Sequence, residues 1–146
     1  MSVRKARLAD IQEIIRLLTE LGRPKPEDRI QRTKFRKTIL EYLHDKDRQV
    51  FVAVHDSKIV GMASLVFLSR LNQTSTELWI PDLIINENYR SIGIGRQIMK
   101  TCEKIAKQRK CFRIRLESGN KRKDAHLFYR KIGFEQSSLT FTKMTK

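Results

Sequence analysis

From Leu8 to Leu21 apolar residues recur every three or four positions, at Leu8, Ile11, Ile14, Ile15, Leu18 and Leu21, with Asp10 and Glu13 at the front. This period predicts an amphipathic helix ending near Gly22, its acidic residues at the positive end of the helix dipole. The run "RPKPE" then breaks the chain, because each proline pushes its predecessor out of the helical region. A second helix carries Ile30, Phe35, Ile39, Tyr42 and Leu43 on one stripe. The period next shortens to that of strands in "QVFVAVH", "KIVGMASLVFLSR" and "TELWIPDLIIN", joined by the short polar turns "DS" and "LNQTS", a pattern expected of an antiparallel meander.

A third helix is predicted from Gly95 to about Arg109, with Ile98, Cys102, Ile105 and Ala106 inward. "CFRIRLE" reads as a strand, "DAHLFYRKIGF" as a short helix stopped at Gly133, and "SSLTFTKM" as a final strand. With "SVRKA" as the first strand, the expected order is β-α-α-β-β-β-α-β-α-β-β. The fold class is α/β (α+β): a mixed, mostly antiparallel sheet of six to seven strands flanked by about four helices, in one domain spanning 1–146.

Length and composition narrow this further. The 146 residues suffice for one core. No run approaches the roughly 18 apolar residues of a membrane span, and "MSVRKARLADIQEI" lacks the apolar block of a secretory signal, so a cytoplasmic location without a membrane partner is expected. Cys102 and Cys111 have no CxxC or histidine spacing and read as buried free thiols, with no metal site. The net charge of +15 marks a basic protein whose field attracts polyanions without choosing among them. A nucleic-acid- or ribosome-associated binding module therefore stays open, although no RNP-like aromatic pair, KH loop or zinc motif is present.

The most informative stretch is "NENYRSIGIGRQIMK" at 86–100, a loop with two glycines between a strand and a helix. The first turn of a helix leaves amide hydrogens unpaired at the positive end of its dipole, and glycine lets an anion approach them closely. Arg90 and Arg96 add charge on either side of Gly93 and Gly95. No Lys-Ser or Lys-Thr follows the second glycine, which disfavours a Walker loop, and a mid-chain position after a meander does not suit a dinucleotide fingerprint.

"RSIGIG" at 90–95 resembles the acetyl-CoA loop of the GNAT superfamily, the Gcn5-related N-acetyltransferases, and "ESGNKRKDAHLFYRKIGF" at 117–134 resembles the family's fifth strand and fourth helix. The likeness covers nearly the whole chain. It implies acetyl transfer from acetyl-CoA to a primary amine by direct attack, with coenzyme A as product. The family's splayed fourth strand would hold the donor's arm on the backbone of Leu83, Ile84 and Ile85, and the diphosphate would lie on Arg90, Ser91, Ile92, Gly93, Ile94, Gly95 and Arg96. Asn120 and Tyr129 would also line the donor, with Lys121, Arg122 and Lys123 as candidates for its 3′-phosphate.

The resemblance makes Tyr129 the acid that protonates the leaving thiolate. Glu77 is the candidate base, placed by strand alternation on the face of Trp79 and Pro81, with Asp82 pointing the other way. Pro81 stands where several relatives carry Glu, so a water relay is the alternative; a proline within a strand also suits a bulge. His126 reads as a surface or packing residue. The acceptor, a small molecule or a protein, would be chosen by residues 21–34; an acidic macromolecule and a homodimer are further candidate partners.

Overall fold

A computed structural model describes residues 1–146, which form two compact units, 1–115 and 116–146. In the first unit β1 (Ser2–Lys5), α1 (Ile11–Glu20), α2 (Arg29–His44), β2 (Arg48–His55), β3 (Lys58–Leu68), β4 (Glu77–Ile85) and α3 (Ile94–Gln108) follow in order. β5 (Ile114–Leu116) straddles the boundary, and α4 (Lys123–Lys131) belongs to the second unit. The sheet has five strands in the order β1-β2-β3-β4-β5, and β1 to β4 pair antiparallel.

Local chemistry accounts for the joints. A turn places Asp56 at φ 51° and Ser57 at φ 62°, the left-handed pair that a two-residue hairpin needs, so β3 follows β2 at once. Asp10, buried at the entry to α1, accepts the Arg7 amide at 2.7 Å and binds Arg4 at 2.7 Å, and this guanidinium holds its carboxyl below the usual range. Asp28 caps α2 by accepting the Gln31 amide at 2.8 Å.

Two layers of helix cover the sheet. Ile11, Ile14 and Leu17 of α1 and Ile39 of α2 pack with Val50, Val52, Met62 and Ile84. Neighbouring positions in the strands face the other way. There Gly61 lies against α3: a Cβ on it would stand 2.8 Å from Ile85 Cδ1, 3.2 Å from the Ile84 carbonyl and 3.3 Å from Ile98 Cδ1. The far end of α3 is tied down by Arg109, which donates to the Lys46 carbonyl at 2.6 Å and stacks 3.8 Å from the Phe67 ring centroid.

The sheet departs from a regular ladder at β4. Val66 is the partner of Trp79 but Ser64 is the partner of Asp82, so one extra residue is inserted in β4 around Ile80 and Pro81. Proline has no N–H to give to the ladder, and the bulge expected from its presence is there.

In the second unit α4 ends in a Schellman turn. Phe134 N donates to Tyr129 O at 2.9 Å and Gly133 N to Arg130 O at 3.2 Å, with Gly133 at φ 99° and Tyr129 edge-on to Phe134 at 5.9 Å. Beyond it one expectation fails. Residues 137–144 form no strand, and the sheet has five strands rather than six or seven. Leu139, Phe141 and Met144 are 70%, 89% and 80% exposed. Their alternation suits a strand, but a strand exists only where a neighbour takes its backbone hydrogen bonds, and this segment has none. β5 is likewise shorter than "CFRIRLE", covering only Ile114–Leu116.

Gly61→Ala is expected to lower stability by about 2 kcal/mol through overpacking against the Ile84 carbonyl, which cannot swing aside as a side chain could. Urea unfolding of the two proteins measures the difference.

Candidate functional site

The loop after β4 is built by short-range bonds. Asn86 accepts the Asn88 amide on its side chain at 3.0 Å and the Tyr89 amide on its carbonyl at 2.9 Å, which makes a single tight turn. Arg90 then folds back to donate from Nε to the Ile85 carbonyl at 3.0 Å, bracing the loop on the end of β4. Ser91 at φ 66° and Gly93 at φ 90° reverse the chain into α3. Gly93 is the N-cap, without a side chain to close the helix end, and the first intrahelical bond runs from Gln97 N to Gly93 O at 3.1 Å.

The amides of Ile94, Gly95 and Arg96 thus point out of the helix end. A Cβ at Gly93 would meet nothing within 4 Å, so the approach is open, and Arg90, Ser91, Ile92 and Arg96 around it are exposed. Unpaired donors, a dipole and two cations fit a diphosphate. Leu83, Ile84 and Ile85 lead into this loop as the β3 partners of Ala63, Met62 and Gly61.

The bulge sets the second part of the site. Ser64, Val66 and Leu68 share a face of β3, so their partners Asp82, Trp79 and Glu77 share the corresponding face of β4. Strict alternation would turn Asp82 away, as expected from sequence; the extra residue at Ile80 and Pro81 brings it back. Its carboxylate accepts the Ser64 hydroxyl at 2.6 Å and Arg23 Nε at 3.0 Å, and Arg23 also donates to the Pro81 carbonyl at 3.0 Å.

Glu77 sits at the beginning of β4 and is completely buried. Its oxygens face Arg113 at 2.7 Å, Arg115 at 3.1 Å and Arg70 at 3.4 Å. Burial alone would push its carboxyl up, but the bonds from Arg113 and Arg115 prevail and hold it below the usual range. A carboxylate so engaged serves as the charge hub of the sheet. Its lone pairs are directed at guanidinium groups, not at a substrate proton.

In the second unit Tyr129 is buried, and burial raises its phenol above the ordinary value, so it keeps its proton at neutral pH despite the opposing influence of Arg122. His126 donates from Nε2 to the Gly119 carbonyl at 2.9 Å, a structural bond within the turn before α4, while Asn120 is exposed beside it. Cys102 is buried in α3 with its thiol pushed up to about 12 by burial, and Cys111 is half-buried, 3.5 Å from the Thr76 hydroxyl. No helix is long and apolar enough to cross a membrane.

Comparison with known proteins meets this geometry. The family model for the acetyltransferase (GNAT) family matches residues 11–134, and the chain belongs to that family. It is an acetyl-transfer enzyme of the N-acetyltransferase class. The aminoalkylphosphonate N-acetyltransferase of Salmonella typhimurium is 28% identical over 97% of this chain and 89% of its own length. The glucosamine 6-phosphate N-acetyltransferase of Trypanosoma brucei brucei is 32% identical over 59% of this chain and 57% of its own length. The crystal structure of glucosamine-6-phosphate N-acetyltransferase from Arabidopsis thaliana superposes with a TM-score of 0.83 over 99% of this chain and 98% of that one; at 18% identity this likeness is one of fold.

Sequence reasoning missed Asp82, Ser64 and Arg23 as a group; the available signal was Pro81, whose bulge reverses the alternation after it. Replacing Glu77 by Gln leaves three guanidinium groups around a neutral amide and is expected to cost about 3 kcal/mol at pH 7. Because the folded carboxyl lies below its unfolded value, its contribution is complete above the ordinary carboxylate range and is lost as pH falls through the lowered value. Urea unfolding at pH 7 and pH 3 should therefore show the gap between Glu77→Gln and wild type shrinking in acid.

Proposed function

We propose that this enzyme transfers the acetyl group of acetyl-CoA to the primary amine of a small acceptor by direct attack. The observation that carries the reading is the open start of α3, where the amides of Ile94, Gly95 and Arg96 stand behind a glycine at φ 90° with nothing in front of it. Bound there, the thioester would supply an activated acyl carbon. The chain's own part is to hold the diphosphate on these amides, aided by Arg96, and to lay the rest of the donor along Leu83, Ile84 and Ile85.

Tyr129 is the acid of the reading, since its raised phenol retains the proton a departing thiolate needs. With Glu77 bound to three arginines, water takes the proton from the attacking amine. Two relatives act, by their names, on aminoalkylphosphonate and glucosamine 6-phosphate. Both are amines that carry an anionic phosphorus group, which supports an acceptor of that kind, and the net charge of +15 favours its approach.

Acetyl-CoA at about a hundred times its Kd is expected to stabilise the fold by about 2.7 kcal/mol, read as a rise in Tm. Gly93→Glu should abolish the rise, with circular dichroism confirming that the variant is folded. Tyr129→Phe should keep the rise while kcat falls roughly a hundredfold. No rise in the wild-type protein would overturn the reading.

A further inference from the structure

Two groups of opposite charge lie along the bulged face of β4, both apart from the loop assigned to the donor. At one end is Asp82. Its carboxyl side chain is 20% exposed, and the cation on it, Arg23, comes from the segment between α1 and α2 with its own side chain 51% exposed. Ser64 fixes the other carboxylate oxygen at 2.6 Å. A guanidinium brought to a recessed carboxylate by a surface loop makes the kind of contact that an incoming ammonium can make in its place.

At the other end Arg70 and Arg113 both lie on the single charge of Glu77, which Arg115 also contacts, so these two guanidinium groups and one carboxylate already leave a local surplus of positive charge. Arg115 is the most covered of the three, with 29% of its side chain exposed, and it lies 5.7 Å from the Trp79 ring centroid. Arg70 and Arg113 are each 47% exposed. A planar guanidinium presents five N–H donors and a carboxylate offers about four lone-pair sites, so the donors of Arg70 and Arg113 alone exceed what Glu77 can accept. A tetrahedral anion with three outer oxygens suits such a surplus.

The spacing of the two ends decides what can bridge them. Glu77 and Asp82 are partners of Leu68 and Ser64, four residues apart on β3, which is about 13 Å along the strand. The amine on Asp82, the anion on a guanidinium and that guanidinium on Glu77 each take about 3 Å, which leaves roughly 4 Å for the ligand from its nitrogen to its anionic oxygens. That is the reach of a small molecule with a few atoms between amine and phosphorus. It is far short of a macromolecule.

We propose that the acceptor is a zwitterion lying along β4, its ammonium displacing Arg23 from Asp82 and its phosphate or phosphonate resting on Arg70 and Arg113. This rests on the acetyltransferase reading and adds to it the way the acceptor is chosen. Asp82 is then a positioning and selecting residue. Arg23 is a placeholder that competes with the acceptor for it.

Calorimetric titration of the full chain saturated with coenzyme A tests this without turnover. The ligands are O-phosphoethanolamine, which has both charges, and ethanolamine and ethyl phosphate, which have one each. The zwitterion is expected to bind at least about tenfold more tightly than either. Asp82→Asn should reduce its affinity to that of ethyl phosphate, and Arg70→Gln with Arg113→Gln to that of ethanolamine. Arg23→Gln should tighten binding, since it removes a competitor; a purely structural ion pair would make it weaken binding as Asp82→Asn does. Equal affinity for all three ligands, no binding, or weakening by Arg23→Gln overturns the proposal. Coenzyme A stabilisation is read separately by melting. If it fails, the acetyl-CoA reading falls, and the same titrations on the chain alone still decide the two-ended acceptor site.

Discussion

A proline cannot give a hydrogen bond to its neighbour strand, and the geometry of the candidate acceptor face turns on how β4 accommodates that fact. Between Val66 and Ser64 on β3, the opposite strand advances from Trp79 to Asp82, one residue more than a ladder allows. The added residue changes which side chains face the two-helix layer. Without it Asp82 would lie on the opposite face, away from Ser64 and Arg23, and a carboxylate buried without such partners costs several kcal/mol. With it, Asp82 meets Ser64 and Arg23, and the Pro81 carbonyl is available to receive the same arginine. A single covalent constraint thereby couples the sheet, the loop between the first two helices and the candidate acceptor face.

The electrostatics of the first unit work in layers. The whole chain's surplus of fifteen positive charges creates a field that any anion feels, but a field of this kind affects encounter more than choice. Choice needs groups held in place. Asp10 and Glu77, both buried, do so from the inside: one fixes Arg4 at the entry to α1, and the other gathers three arginines at the beginning of β4. The start of α3 works differently, since its attraction comes from backbone amides whose direction is set by Ser91 and Gly93 and does not depend on a flexible side chain. Rigid dipoles at the start of α3 and braced ions along β4 are two solutions to one requirement, that groups able to bind lose little freedom when a ligand arrives.

Much of this was legible in one dimension. Periodicity located the four helices and the first four strands to within a few residues, because apolar spacing is a local property that packing then exploits. The helix start after "RSIGIG" was legible for the same reason: Gly93 and the amides behind it are neighbours in sequence. What failed to show were features that join distant residues. Glu77 finds Arg113 and Arg115 at separations of 36 and 38 residues, and Arg23 reaches Asp82 across 59, so no window of sequence contains either cluster. The final strand misled in the opposite sense. Leu139 and Phe141 alternate as strand residues should, but pairing is a property of two segments, and the pattern in one of them does not supply the other.

The thiol of Cys102 has a practical bearing on following the chemistry. Nucleophilicity toward disulfide reagents resides in the thiolate, and a thiol held at about 12 inside α3 yields almost none at assay pH. A chromogenic disulfide added to register each coenzyme sulfhydryl set free would thus pass this cysteine by. The protein's own colour background would then come from Cys111 alone, a single site per chain that one substitution removes.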